Sequence, residues 1–221
     1  MKRTIFYSLL ILGFLCSFRY EYNLPNTFLY LGRYLRDPIE ACIFKSIGLK
    51  EVYGDLLYIR LLQYYGKREF NYEDYLGGNY PDMYARSLAL AIVAPDYENA
   101  IILSSSILAF GLGRTWEAKS VLKIAMLEDI PQYLKVKYAL LLSAVITYEK
   151  NKKNLLDEQT LLLLSEIAMQ KEASDMFRNI VAFLCEKAGR IDIARAIYKK
   201  IVETSNDEYY RKKASQKLKD F

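Results

Sequence analysis

The chain has 221 residues, room for one helical domain and a short leading segment but not for two large domains. With 52% apolar and 26% charged residues it has the balance of a packed globular protein, and its formal charge of +5 is met by solvated helix faces, so nucleic acid is not an expected partner. The absence of histidine removes the commonest general base and metal ligand and excludes hydrolysis through a histidine dyad or triad.

In chain order, the first element is an apolar run. Lys2 and Arg3 precede an uninterrupted low-polarity stretch from Thr4 to Phe18, followed by Arg19, Tyr20 and Tyr22, the order of a signal sequence. As a helix this stretch is about 22 Å long, short against a hydrocarbon core of about 30 Å. Arg3 and Arg19 can snorkel and the tyrosines suit the headgroup layer, so residues 1–22 read as a signal anchor with the N-terminus in the cytoplasm. A cleaved signal peptide and a lipoprotein signal at Cys16 are the alternatives. Bulky Phe14 and Leu15 stand where either would carry small residues.

Residues 23–221 form the second unit. Prolines are confined to positions 25, 38, 81, 95 and 131, and the spacing of Leu56, Leu57, Ile59, Leu61, Leu62 and Tyr65 predicts a helix with one apolar face. Leu88 to Val93, Ile101 to Leu108, Tyr133 to Tyr148 and Leu155 to Met169 repeat the pattern, with no period-two alternation, so the fold class is all-α with about ten helices. Asp157 and Glu158 stand at a predicted helix start, as does the pair Ser174 and Asp175.

No chemistry-bearing constellation emerges. Asp55 within an apolar helix reads as a half-exposed or hydrogen-bonded carboxylate, and Gly77-Gly78-Asn79 lacks the Gly-Lys-Ser/Thr ending that grips phosphate. The acid pairs Glu73-Asp74 and Asp157-Glu158 read as solvated helix ends. With Cys16 in the apolar run, only Cys42 and Cys185 could pair in an oxidising compartment, and no cysteine spacing marks a zinc or redox site. No catalytic residue, metal or cofactor is expected.

Two stretches align on glycine. Phe110-Gly-Leu-Gly-Arg-Thr-Trp-Glu-Ala118 continues to Leu122 and Ala125, and Glu186-Lys-Ala-Gly-Arg-Ile-Asp-Ile-Ala194 continues to Tyr198 and Ile201. A glycine closing one helix, an alanine admitting the next and a large residue filling the gap resemble the helix-turn-helix of the tetratricopeptide repeat. Ala182 takes the small position of the first helix in the later copy and Ser106 in the earlier one, while a middle copy from Tyr133 to Ala173 is degenerate. The segment Gly48 to Gly66 and the charged end Asp207 to Leu218 also resemble a group of bacterial signal-anchored tetratricopeptide-type proteins, in which Gly54 and Tyr58 here replace alanine and tryptophan.

The resemblance implies a short right-handed solenoid of helix-turn-helix repeats after an apolar transmembrane or signal helix, standing in the periplasm on a single-pass anchor. It also implies a non-enzymatic scaffold that docks a protein or peptide partner within a membrane-associated complex, with Asn179, Phe183, Glu186 and Lys187 turned toward an inner groove. The alternative is a structural subunit packed permanently in a membrane or envelope complex.

Overall fold

The computed structural model describes residues 37–66, 80, 82–149 and 157–221. The leading apolar run with Cys16, and the positions Glu73, Asp74 and Gly77 to Asn79, lie outside the described residues. The structure is all-helical, with no strand among the described residues. In chain order come α1 (37–46), α2 (Lys50–Gly66), α3 (Met83–Val93), α4 (Glu98–Ser106) and a π-helical turn (Ile107–Gly111). There follow α5 (Thr115–Leu127), α6 (Gln132–Tyr148), α7 (Glu158–Ala168), α8 (Asp175–Lys187), α9 (Ile191–Thr204) and α10 (Glu208–Lys219).

From α2 onward each helix packs on the next, and α3 meets α5, α4 meets α6, α6 meets α8, α7 meets α9 and α8 meets α10. One apolar core threads these contacts, running from Tyr53 through Leu90, Leu122 and Leu142 to Phe177 and Ile201. Full burial of a side chain of that size stabilises by about 1.5–3 kcal/mol. No helix among the described residues is long and apolar enough to cross a membrane.

In α2 the buried stripe is Tyr53, Leu57 and Leu61, a strict four-residue spacing, with Gly54 beside it. The broader apolar face expected from sequence is thereby corrected, since Ile59 and Leu62 stay exposed. Gly54 has a steric reason: a Cβ there would stand 2.8 Å from Cβ of Ala94, so α2 approaches the end of α3 more closely than an alanine allows. Asp55 is exposed beside this contact, in a cleft with Glu51, Ala94, Asp96 and Tyr97.

The glycine turns form as their pattern requires, with Gly113 at φ 68° and Gly189 at φ 77°. At the end of α8 the Arg190 N–H donates to the Cys185 carbonyl at 2.9 Å and the Gly189 N–H to the Glu186 carbonyl at 3.0 Å, the two bonds of a Schellman cap. At the end of α4 the Arg114 N–H reaches one residue further back, to the Leu108 carbonyl at 2.7 Å. The π-helical turn supplies that extra residue. It also corrects the alignment: counting back through it, the counterpart of Ala182 is Ser105 and not Ser106. Ser105 and Ala182 are both fully buried, whereas Ser106 is only half-buried.

The predicted caps are present where side chains can reach. Asp157 accepts from the Thr160 N–H at 2.7 Å and Ser174 from the Phe177 N–H at 3.2 Å. Burial raises the Asp157 carboxyl, but hydrogen bonds from Thr160 and the nearby Lys123 ammonium outweigh it, and the group sits below its ordinary range. Cys42 is exposed, Cys185 is buried, and both are free thiols.

Candidate docking groove

Every second helix from α4 onward contributes to one groove of about 970 Å³. Its wall comprises Ile102 of α4 and Phe110 of the π-helical turn, Leu140, Leu141, Ala144, Thr147 and Tyr148 of α6, Met176, Asn179, Ile180 and Phe183 of α8, with Lys137 and Lys213 at its edges. The periodicity explains the arrangement. Helix α6 buries Leu134, Tyr138, Leu142 and Val145 in the core, which leaves Leu140, Ala144 and Tyr148 as a second apolar stripe on another face. Helix α8 does the same, burying Phe177, Val181 and Cys185 and turning Met176, Ile180 and Phe183 outward.

These outward residues are unusually bare for their size. Phe110 is 42% exposed, Tyr148 47%, Met176 46% and Phe183 45%, a concentration of solvent-facing apolar surface of the kind that marks interaction sites. Phe110 and Tyr148 meet edge to face at 5.1 Å between ring centroids, joining the π-helical turn to the end of α6.

Cations frame the wall, and among the described residues no carboxylate lines it. The Lys137 ammonium donates to Glu98 at 2.7 Å, Lys213 lies over the Tyr209 ring at 5.9 Å, and Lys187 lies over the Phe183 ring at 5.4 Å. Ser143 and Thr147 spend their hydroxyls on carbonyls four residues back in α6.

Of the four residues expected at the groove, Asn179 and Phe183 are in its wall. Lys187 stands beside the wall, over Phe183. Glu186 is engaged elsewhere: its carboxylate accepts from the Tyr198 hydroxyl at 2.5 Å and from Lys217 at 2.8 Å, so it fastens α8 to α9 and α10 and is not among the residues that line the groove. That contact, after burial itself, pushes the Tyr198 hydroxyl upward and keeps it a donor.

Sequence reasoning missed Phe110, Tyr148 and Met176. The available signal was the pair of apolar stripes on α6 and α8, where one stripe suffices for a core. Among the described residues no group of His, Cys, Asp and Glu is arranged to hold a metal ion, and burial holds the Cys185 thiol up at about 11, far from a reactive thiolate. The wall therefore offers apolar contact and positive charge.

Comparison with protein-family models, with curated proteins and with solved structures finds no match.

Proposed function

We propose that this chain is a non-enzymatic interaction scaffold of the tetratricopeptide type, a short right-handed solenoid tethered to the membrane by residues 1–22, that holds another protein in the groove along α4, α6 and α8. The observation that carries the reading is the half-exposed apolar wall of that groove, shared by alternate helices. Supporting it are the two glycine-closed hairpins α4–α5 and α8–α9, whose second helices bury Ala118 and Ala194 at the close approach and Leu122 and Tyr198 in the gap.

The test is site-specific photocrosslinking in the native cell, with a crosslinking amino acid at Phe183 or Ala144 in the groove and at Leu162 on α7 as control. Capture of one discrete partner from both groove positions and not from Leu162 is the expected result. Equal capture from all three positions would sink the docking reading. Extraction by detergent but not by alkaline carbonate is expected of the tethered chain; release by carbonate would remove the anchor from the proposal.

A second reading, a subunit permanently packed in a membrane or envelope complex, is favoured by a separate observation. Ile39 and Ile43 of α1 and Val52 and Ile59 of α2 are each more than half exposed, with Val52 at 69%. On that reading a stoichiometric partner survives a high-salt wash and crosslinks from Val52, and the groove positions stay silent.

A further inference from the structure

We infer that the groove takes an amphipathic α-helical segment of a partner protein, with an apolar stripe flanked by acidic side chains. This rests on the docking reading above and specifies its partner. The wall's own hydrogen bonding favours a helix. The wall is built entirely of helices, whose N–H and C=O groups are spent internally, and its hydroxyls on Ser143 and Thr147 are spent likewise. Besides the edge cations, only Asn179 and the Tyr148 hydroxyl offer polar groups that make no hydrogen bond to the described residues. A segment laid on this surface finds few partners there for its backbone, so an α-helix, which satisfies its own, suits the wall better than an extended strand.

The wall's geometry agrees. Met176, Ile180 and Phe183 recur at i, i+4 and i+7 on α8, and Leu140, Ala144 and Tyr148 at i, i+4 and i+8 on α6. Each stripe covers about two helical turns and can receive an i, i+3, i+4, i+7 stripe between them. An acyl chain is the other apolar occupant, but ligand sites of that kind enclose most of their guest. Here the flanking aromatics are themselves nearly half exposed, so the groove covers one side of its occupant.

The acidic flank follows from charge. Lys213 edges the wall and Lys187 stands beside it; among the described residues neither has a carboxylate partner and no carboxylate lines the groove. Lys137 shares Glu98, so the uncompensated charge belongs to the edge formed by α8 and α10.

The experiment uses fluorescence anisotropy of the full-length chain with two synthetic helical peptides of about 18 residues, about five turns, sharing one Leu/Phe stripe and flanked by Glu or by Lys. The Glu-flanked peptide is expected to bind about tenfold more tightly at low salt, with the gap narrowing as salt rises. The gap is expected to close in the double variant Lys187→Glu with Lys213→Glu, both surface positions, while Ala144→Glu removes binding of both peptides with helical content unchanged by circular dichroism. Equal affinity for the two peptides overturns the acidic flank and leaves docking intact. Binding of neither, with a discrete partner still crosslinked at Phe183, overturns the helical occupant alone. Saturable binding of oleate with neither peptide bound, and no crosslinked partner, overturns both this inference and the docking reading.

Discussion

The α4–α5 and α8–α9 hairpins carry the same Gly-Arg signature and solve the same packing problem with different electrostatics. Arg190 sits at the surface, bridging Asp192 and Glu158, whose side chains are mostly exposed. Arg114 is drawn in: it donates to the Tyr80 carbonyl at 2.8 Å and to Glu117 at 2.6 Å, with the Glu117 side chain only 6% exposed. A shared motif thus fixes the backbone turn, while the residues four beyond the glycine, Glu117 and Ile193, decide whether the arginine is structural.

The largest expected effect breaks this comparison at the arginines. Arg114→Ala strands a buried carboxylate and is expected to cost about 3 kcal/mol in chemical denaturation. Arg190→Ala leaves the melting temperature unchanged within error. The pH dependence distinguishes the cause. Burial pushes the Glu117 carboxyl above its ordinary range, a shift that the Arg114 hydrogen bond and charge partly oppose. A carboxyl whose folded-state pKa is raised adds stability in its protonated form, fully present below the unfolded value and lost as pH rises through the folded one. The Arg114→Ala deficit is therefore expected to shrink as the pH falls to the ordinary glutamate range. A deficit independent of pH would mean that the lost Tyr80 contact, and not Glu117, dominates.

Next in size is the register shift. If the π-helical turn places Ser105 opposite the role of Ala182, Ser105→Leu and Ala182→Leu both overpack a closed contact and cost about 1–3 kcal/mol, while half-buried Ser106→Leu is nearly neutral. The Ser105 hydroxyl is buried without a hydrogen-bond partner among the described residues. Ser105→Ala is accordingly expected to stabilise by about 1 kcal/mol. Stabilisation by Ser106→Ala instead would restore the ungapped alignment.

These sites show what was legible in the sequence. The helices, both glycine turns and the caps at Asp157 and Ser174 follow from local rules, because periodicity, left-handed backbone and a side chain three residues from its target are encoded within a few positions. The extra residue at Ile107 to Gly111 was not legible, since no local propensity marks a π-helical turn and the Gly-to-Ala spacing beyond it is preserved. At the candidate groove the family resemblance points to Asn179 and Phe183, which line it, but the engagement of Glu186 by Tyr198 and Lys217 depends on how α9 and α10 return to α8. Those contacts lie 12 and 31 residues away in the chain.

The two turns themselves should be equivalent despite the π-helical turn. A Cβ added at Gly113 or at Gly189 meets nothing within 4 Å, so the cost of alanine is the left-handed backbone alone, about 1 kcal/mol at each site. A clearly larger loss at Gly113 would show that the π-helical turn stores strain there.

The smallest effect separates the starts of the two hairpins. Helix α8 begins with Ser174 bonded to the Phe177 N–H, whereas α4 begins at Tyr97 with no side-chain cap. Ser174 is exposed, so Ser174→Ala loses the cap without opening a cavity, and the expected cost is about 0.5–1 kcal/mol. Its neighbour Asp175 also holds Arg178, which is 5% exposed and donates to the Ala168 and Gln170 carbonyls. That network survives the substitution and ties the start of α8 to the end of α7, so unfolding should remain a single cooperative transition with a lowered midpoint. A separate early transition in hydrogen exchange confined to Asp175 through Phe177 would mean that the hydroxyl, and not the arginine, anchors the start of α8, the helix that carries Phe183 into the groove.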